Sequence, residues 1–400
     1  MTPILPPNSV VVATTAILGI ANHLYFKRYE PVRTTVVRTA CFLLLEPAIQ
    51  LFALHRFAGT VDISKSNLFI TYLIFFGTMA TFITLYRLSP FHPLAKIPGP
   101  VMYKITKFYR MYVTWTGQQR ITLNALHDQY GPIIHTGPNE ISTIDLDPVK
   151  PILGTGGLPK AHVPYLFTKV VGHPAALIGT TGEKRIDRRR IWNRGFTSES
   201  IKEYQQSILT KANELAEGLS TRAGVELDLF QWMSFFTFEM MFGANTNMLK
   251  NGKDHQNLMK LIQNGNKFDE ITSHVPWITC LATFLPSDNA KLRQFASGWG
   301  NRRLREGAEK KDLWYHLTDE EGHEKIKPTP FVVDADSQLA IIAGSDTTSS
   351  ALTNVIWCLL AHPNAYKRAR DEVDREFPPG TDPLLDTSRY SNLKFTKACL

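Results

Sequence analysis

Four hundred residues, 44% apolar and 20% charged, suffice for one large globular domain or two ordinary ones and exclude a largely disordered chain. The formal charge of +8 raises nucleic acid as a partner, but the basic residues are dispersed apart from a cluster at Arg188, Arg189 and Arg190. Dispersed positive charge suits an anionic membrane surface or an acidic protein better than a phosphate track, so no nucleic acid is expected. Cys41, Cys280, Cys358 and Cys399 form no CxxC pair and have no histidine at metal-ligand spacing, which argues against a zinc site or a disulfide framework. No Asn-x-Ser/Thr acceptor is present, in keeping with a body on the cytosolic side.

Three apolar stretches lead the chain. Val10 to Phe26 is uncharged and ends at Lys27 and Arg28, Thr39 to Leu54 is interrupted by Glu46 and Pro47, and Leu68 to Tyr86 is again uncharged. A bilayer core takes roughly 20 mostly apolar helical residues. Residues 1–88 therefore read as a membrane anchor with up to three spans, 10–26, 39–54 and 68–86. The middle one is the weakest, because a carboxylate inside a membrane is costly. A cleavable leader competes for the first stretch, which lacks the basic start such a leader needs. Lys27, Arg28, Arg33 and Arg38 assign the loop after the first span to the cytosol, and three spans return the chain to that side. Nothing after residue 100 is apolar for long enough to span, which argues against a polytopic transporter. The proline-dense run from Ser89 to Pro100 cannot continue a helix and favours extended, stiff backbone, as a plain linker or as a lever between bilayer and body.

In the body, Ile121, Leu123, Leu126 and Tyr130 predict a helix over 119–130, stopped by Tyr130-Gly131-Pro132. Ile133 to His135 and Glu140 to Ile144 predict a hairpin that turns at Gly137-Pro138-Asn139. Short helix and loop are expected over 147–154. Gly154-Thr155-Gly156-Gly157 and Gly179-Thr180-Thr181-Gly182 look like phosphate loops, but neither completes GxxxxGK[ST]. Residues 183–194 carry Lys184, Arg185, Arg188, Arg189, Arg190 and Arg194. On a helix Arg185 and Arg189 share a face and could clamp carboxylates; the run also reads as a solvated basic face. The aromatic and methionine stripe from Phe235 to Gly243 reads as core. The charged stretch 301–328, with Lys310, Lys311, Asp312, Asp319, Glu320 and Glu321, reads as an exposed connector.

Residues 331–362 predict the strongest helix of the body, running from Leu339, Ile341 and Ile342 to Val355, Ile356, Leu359 and Leu360 and ended by His362-Pro363. Its middle is Ala343-Gly344-Ser345-Asp346-Thr347-Thr348. Glycine there costs about 1 kcal/mol relative to alanine, and the neighbouring hydroxyls compete for backbone carbonyls. Such a centre makes sense if something flat lies against Ala343 and Gly344 and is served by Asp346 and Thr347. Packing alone remains an alternative.

Taken in order, these features resemble the cytochrome P-450 family, and in particular its fungal membrane-bound members. The resemblance spans nearly the whole chain: the anchor, Pro98-Gly99-Pro100, Tyr130-Gly131-Pro132, the Gly-Pro-Asn hairpin, the arginine-rich helix ending in Trp192-Asn193-Arg194-Gly195-Phe196, Phe242-Gly243, and the Ala-Gly-x-Asp-Thr-Thr helix. It implies a mainly α fold with a small β portion, in which 89–100 is a hinge and 101–400 an incomplete catalytic domain. It also implies a haem-dependent monooxygenase that inserts one oxygen atom of O2 into a hydrophobic small molecule. Electrons would come from NADPH-cytochrome P-450 reductase, at the endoplasmic reticulum with the body facing the cytosol. By the same resemblance Asp346 and Thr347 deliver protons to iron-bound oxygen, and Ala343 and Gly344 leave room for O2 over haem b. Arg189 would hold a haem propionate, and Arg185 stands where the family has Trp or His one turn earlier. The remaining arginines would face outward, towards the reductase. Substrate choice would fall to the region around 155–180 and to the segment after Phe242.

Two family motifs, Glu-x-x-Arg on a later helix and Phe-x-x-Gly-x-Arg-x-Cys, are not matched in context. Glu372-Val373-Asp374-Arg375 has the first spacing but lies too early and reads as a solvated pair, while Glu30 and Arg33 lie in a loop. No cysteine has the surroundings of an axial thiolate, and Asn392 to Leu400 matches the approach to the Glu-x-x-Arg helix. The expectation is thus a P-450 fold truncated before its metal ligand, with a catalytically dead membrane-bound protein as the alternative.

Overall fold

The computed structural model describes residues 7–29, 33–59, 61–154, 157–158, 176–242, 246–275, 277–278, 288–307, 311–381 and 387–400. Glu30, Thr155, Gly156, residues 159–175, Gly243, Cys280 and Lys310, all named above, lie outside the described residues. The chain divides into two compact units, one of residues 1–164 with 267–285 and the other of 165–266 with 286–400. The described residues are mainly helical, with one two-stranded sheet.

The first unit opens with helices Pro7–Arg28, Arg33–Ala53 and Lys65–Leu88. They contain three stretches long and apolar enough to cross a membrane, Ser9–Arg28, Val36–Phe57 and Lys65–Leu88, each longer than its apolar run alone suggests. The first and third helices touch backbone to backbone at Gly19, where an added Cβ would stand 2.9 Å from the Phe75 carbonyl oxygen. Glu46, the residue that weakens the middle stretch, accepts a 2.8 Å hydrogen bond from Asn22 of the first helix. Gln50 donates to Thr14 at 2.8 Å on the same seam. Asn22 and Gln50 thus pair polar groups across neighbouring helices.

The proline-dense run is not extended. It makes successive tight turns, with His92, Ala95 and Ile97 amides donating to the carbonyls of Ser89, His92 and Leu94. Proline restricts its own φ and lacks an N–H, so the non-proline residues between supply the turn bonds. The run then docks on the sheet: the His135 amide donates to the Pro98 carbonyl at 2.8 Å. An added Cβ on Gly99 would stand 2.8 Å from the His135 carbonyl oxygen, so only glycine permits that approach. Rings continue the contact, Tyr86 to His92 at 5.3 Å and His92 to His135 at 6.1 Å.

The predicted helix appears as Gln119–Tyr130 and stops at Gly131, whose φ of 100° is unfavourable for other residues. The hairpin pairs β1 (Ile133–Gly137) antiparallel with β2 (Glu140–Thr143). Tyr103, Val113, Leu126 and Ile134 make the small core beneath it.

In the second unit the central helix, Pro330–Ala361, packs on the aromatic helix Leu229–Phe242 and on Asp288–Glu306. Trp232, Phe235, Phe238, Leu249, Leu258 and Ile341 form the core, so the aromatic stripe is core packing as predicted. Two readings need correction. The stretch 301–328 is not an exposed connector throughout, because Leu313–Leu317 folds as a short helix that buries Leu313, Trp314, His316 and Leu317. Few apolar residues in a charged stretch are enough when they share one face. Glu372 is not a solvated side chain either. It is 8% exposed and accepts hydrogen bonds from the Phe395 and Thr396 amides, capping the last helix, Lys394–Ala398.

Candidate functional site

The arginine-rich helix, Gly182–Gly195, sorts its cations by face. Each residue turns the helix roughly 100°, so neighbours in sequence meet different surroundings. Arg188, 8% exposed, donates to the Val332 carbonyl at 3.1 Å and to the carboxylate of Asp336 on the central helix. That carboxylate also accepts from the Leu177 amide at 2.7 Å. Burial pushes the Asp336 carboxyl above its usual range, and the Arg188 charge opposes the shift. Arg190 and Arg194 both grip Glu324, at 2.5 and 2.6 Å, and Arg194 also reaches Asp319 at 3.0 Å. Hydrogen bonding from Arg190 holds the Glu324 carboxyl down at about 2.

The arginines other than Arg185 and Arg189 therefore do not all face outward as expected. Arg188 is inside and Arg194 is partly covered, because the central helix and the segment before it supply carboxylates. Arg185 and Arg189 form no ion pair or hydrogen bond with any described residue. Arg189 is exposed and Arg185 half-buried, four residues apart on one face.

At the middle of the central helix, Ala343 and Thr347 are exposed on the same face. The open stripe continues through Ala351, Asn354, Trp357 and Cys358, small or polar side chains apart from the tryptophan. The Thr347 hydroxyl donates to the Ala343 carbonyl at 2.6 Å, leaving its lone pairs towards the open face. Gly344 lies on another face. An added Cβ there would stand 2.5 Å from Cε of Met241, so its glycine admits the aromatic helix. Asp346 is half-buried, and its carboxylate accepts a 2.9 Å hydrogen bond from Asn266. Thr237 of the aromatic helix donates to the Ser345 carbonyl at 2.9 Å, one turn from Met241.

Asn266, Asp336, Thr237 and Met241 were not singled out by sequence reasoning. Their partners lie 80, 148 and 108 residues away for the first three, and no local pattern marks such pairs. Of the cysteines described, Cys41 sits on the second long helix, Cys358 on the open stripe and Cys399 at the last helix. Among the described residues no cluster of His, Cys, Asp or Glu could hold a metal ion.

Comparison with known proteins decides the family. A family model described as cytochrome P450 matches residues 96–400. The chain belongs to the cytochrome P450 family. Tryprostatin B 6-hydroxylase of Aspergillus fumigatus is 29% identical over 398 residues, covering 93% of this chain and 69% of that protein. Cytochrome P450 67 of Uromyces fabae is 27% identical over 400 residues, covering 96% of this chain and 71% of that protein. The crystal structure of the cytochrome P450DA heme domain overlaps 56% of this chain and 48% of its own, at 17% identity and a TM-score of 0.45.

Membership in the cytochrome P450 family implies haem monooxygenase activity on small molecules, with haem iron as the cofactor. The residues present fit the distal side of such a group. A flat macrocycle bearing two carboxylates needs a helix face without bulk and cations free to pair, and the Ala343–Thr347 face and the uncommitted Arg185 and Arg189 offer these.

Proposed function

We propose that this P450 is a membrane-anchored monooxygenase for a hydrophobic small molecule, taking electrons from NADPH-cytochrome P450 reductase at the endoplasmic reticulum with its body in the cytosol. The observation that carries the proposal is the open Ala343–Thr347 face of the central helix, in the same unit as Arg185 and Arg189, which pair with no described residue. When bound, haem supplies the activation of O2 and the transfer of one oxygen atom to substrate.

The protein's own residues bind and move protons. Arg185 and Arg189 would pair with the propionates. Ala343 keeps the face clear, and Gly344 lets the helix seat against Met241, which fixes that face in place. Thr347 accepts hydrogen bonds from water on the open side while its own hydroxyl proton is donated to the Ala343 carbonyl. Asp346, next in sequence, holds and releases protons for that face. None of the four cysteines is assigned as axial ligand.

The anchor reading is supported by the start of the body. Arg87, in the last turn of the third long helix, donates at 2.5 Å to the carbonyl of Ile105, the last residue of the short helix Val101–Ile105, and the helix Lys107–Trp115 follows directly. That helix buries Val113 and Thr114 and exposes Phe108, Tyr112 and Trp115, the residue types that settle at bilayer interfaces. Substrate that partitions into lipid would be reached from there.

Hemin titration of the full chain in lipid nanodiscs, followed by its Soret band, tests the cofactor reading. Binding is expected to weaken about tenfold in Arg185→Ala/Arg189→Ala, equivalent to about 1.4 kcal/mol of lost charge-assisted bonding. Unchanged affinity would remove both arginines from the site. A reduced carbon-monoxide spectrum of the thiolate type that vanishes in one Cys→Ser variant would overturn the assignment of the cysteines.

A further inference from the structure

The middle of the three long amino-terminal helices is the one least able to enter a bilayer by itself. Glu46 and Pro47 stand near the centre of its apolar stretch, Val36–Phe57. An acidic side chain at that depth is costly, and Pro47 lacks the N–H that would bond the Leu43 carbonyl one turn back. Arg56 and Lys65 flank the loop that follows, and cations so placed resist transfer away from the cytosol. The neighbouring helices oppose these costs. Asn22 of the first helix donates to the Glu46 carboxyl at 2.8 Å, and Gln50 donates to Thr14 at 2.8 Å. The Tyr72 hydroxyl of the third helix donates to the Leu44 carbonyl, beside the one that Pro47 leaves unbonded. Gln50 keeps its Oε1 buried without a partner among the described residues, so its bond carries a desolvation cost and the Asn22–Glu46 bond does the larger part.

We infer that the Asn22–Glu46 hydrogen bond sets the side of the membrane on which the body lies, by carrying the middle helix across the bilayer together with the first. The inference rests on the cytosolic placement proposed above. With all three helices across, the chain returns to the side that Lys27 and Arg28 assign to the cytosol, and the body follows it there. With the middle helix left out, residues 29–64 stay on the cytosolic side and the third helix carries the body to the lumen. The number of crossings is odd in one case and even in the other, so one hydrogen bond within the anchor decides the placement of some three hundred residues beyond it. Asn22 is the positioning residue, because it supplies the donor that hydrocarbon cannot.

Glycan mapping of the full chain in microsomes tests this without turnover. The sequence has no Asn-x-Ser/Thr acceptor, and Lys253→Thr turns exposed Asn251, in the body, into one that is modified only in the lumen. The Lys253→Thr parent is expected to stay almost wholly unglycosylated. Adding Asn22→Leu, which strands the Glu46 carboxyl, is expected to raise the glycosylated share about tenfold, equivalent to about 1.4 kcal/mol. Adding Glu46→Leu to that variant is expected to restore the parent's pattern, since the middle helix then needs no partner to cross. A role in packing the anchor leaves the glycan pattern unmoved, so the readout reports side and not stability. An Asn22→Leu chain as unglycosylated as its parent overturns the inference, and so does an Asn22→Leu/Glu46→Leu chain that stays glycosylated. A parent already glycosylated overturns instead the cytosolic placement on which the inference rests.

Discussion

Arg188→Ala should be the most damaging single change in the arginine-rich helix, although its neighbour Arg189 is the one proposed to bind cofactor. Removing the guanidinium leaves the Asp336 carboxylate, 3% exposed, with the Leu177 amide as its remaining hydrogen-bond donor of the backbone. A buried charge stripped of its partner costs about 3–5 kcal/mol, against a total stability on the order of 5–15 kcal/mol. Replacing both partners by apolar residues, as in Arg188→Met/Asp336→Leu, removes the unpaired charge and leaves the Leu177 amide without its acceptor and the Val332 carbonyl without the Arg188 donor. The double variant should therefore lie within about 1–2 kcal/mol of wild type, and the coupling between the sites should be large. Denaturant unfolding in nanodiscs gives the stabilities, and hydrogen exchange over 182–195 reports whether the helix has come loose. Hemin affinity should fall with Arg188→Ala, since Arg185 and Arg189 ride on the same helix. A loss under about 1 kcal/mol, or a double variant as unstable as the two singles summed, would refute the assignment of this pair as the brace.

Acid should weaken the first unit through His274, which packs against Thr114 and Gln119 at 2.9 and 3.1 Å. Burial, with Arg110 nearby, lowers its imidazole to about 4 from an ordinary 6.5. The unfolded chain then takes up a proton below about 6.5 that the folded chain refuses until about 4, so stability is full above that window and falls by about 3 kcal/mol through it. Circular dichroism against pH measures the loss, and His274→Gln should flatten it. Gly344→Ala should gain about 1 kcal/mol of helix propensity and lose about 1–3 kcal/mol by driving a Cβ into Met241, a net cost of up to about 2 kcal/mol read in a thermal melt. Glu372→Gln should speed hydrogen exchange at Phe395 and Thr396. The amides of Thr396 and Phe395 hold its carboxyl at about 2, so in wild type that protection persists above the ordinary 4.5 and is lost as pH falls through about 2.

The sequence by itself determined whatever depends on near neighbours. Apolar runs marked the three long amino-terminal helices, the period of apolar positions marked Gln119–Tyr130 and the central helix, and Gly-Pro-Asn marked the hairpin turn. Its motifs also pointed to the P450 family, which the family match bears out. Only the tertiary structure decided which charges are spent and which are free. Arg188 and Arg189 are adjacent and chemically identical, yet one is buried on Asp336 and the other open to solvent. A helix turns them to different faces, and which face meets a carboxylate depends on an element 148 residues away. The same holds for Glu372, read as solvated until its capping partners 23 and 24 residues later are in place. Local propensity is set by backbone geometry within a few residues. The partners of a buried polar group are set by which surfaces lose their water together, and that is a property of the packed molecule.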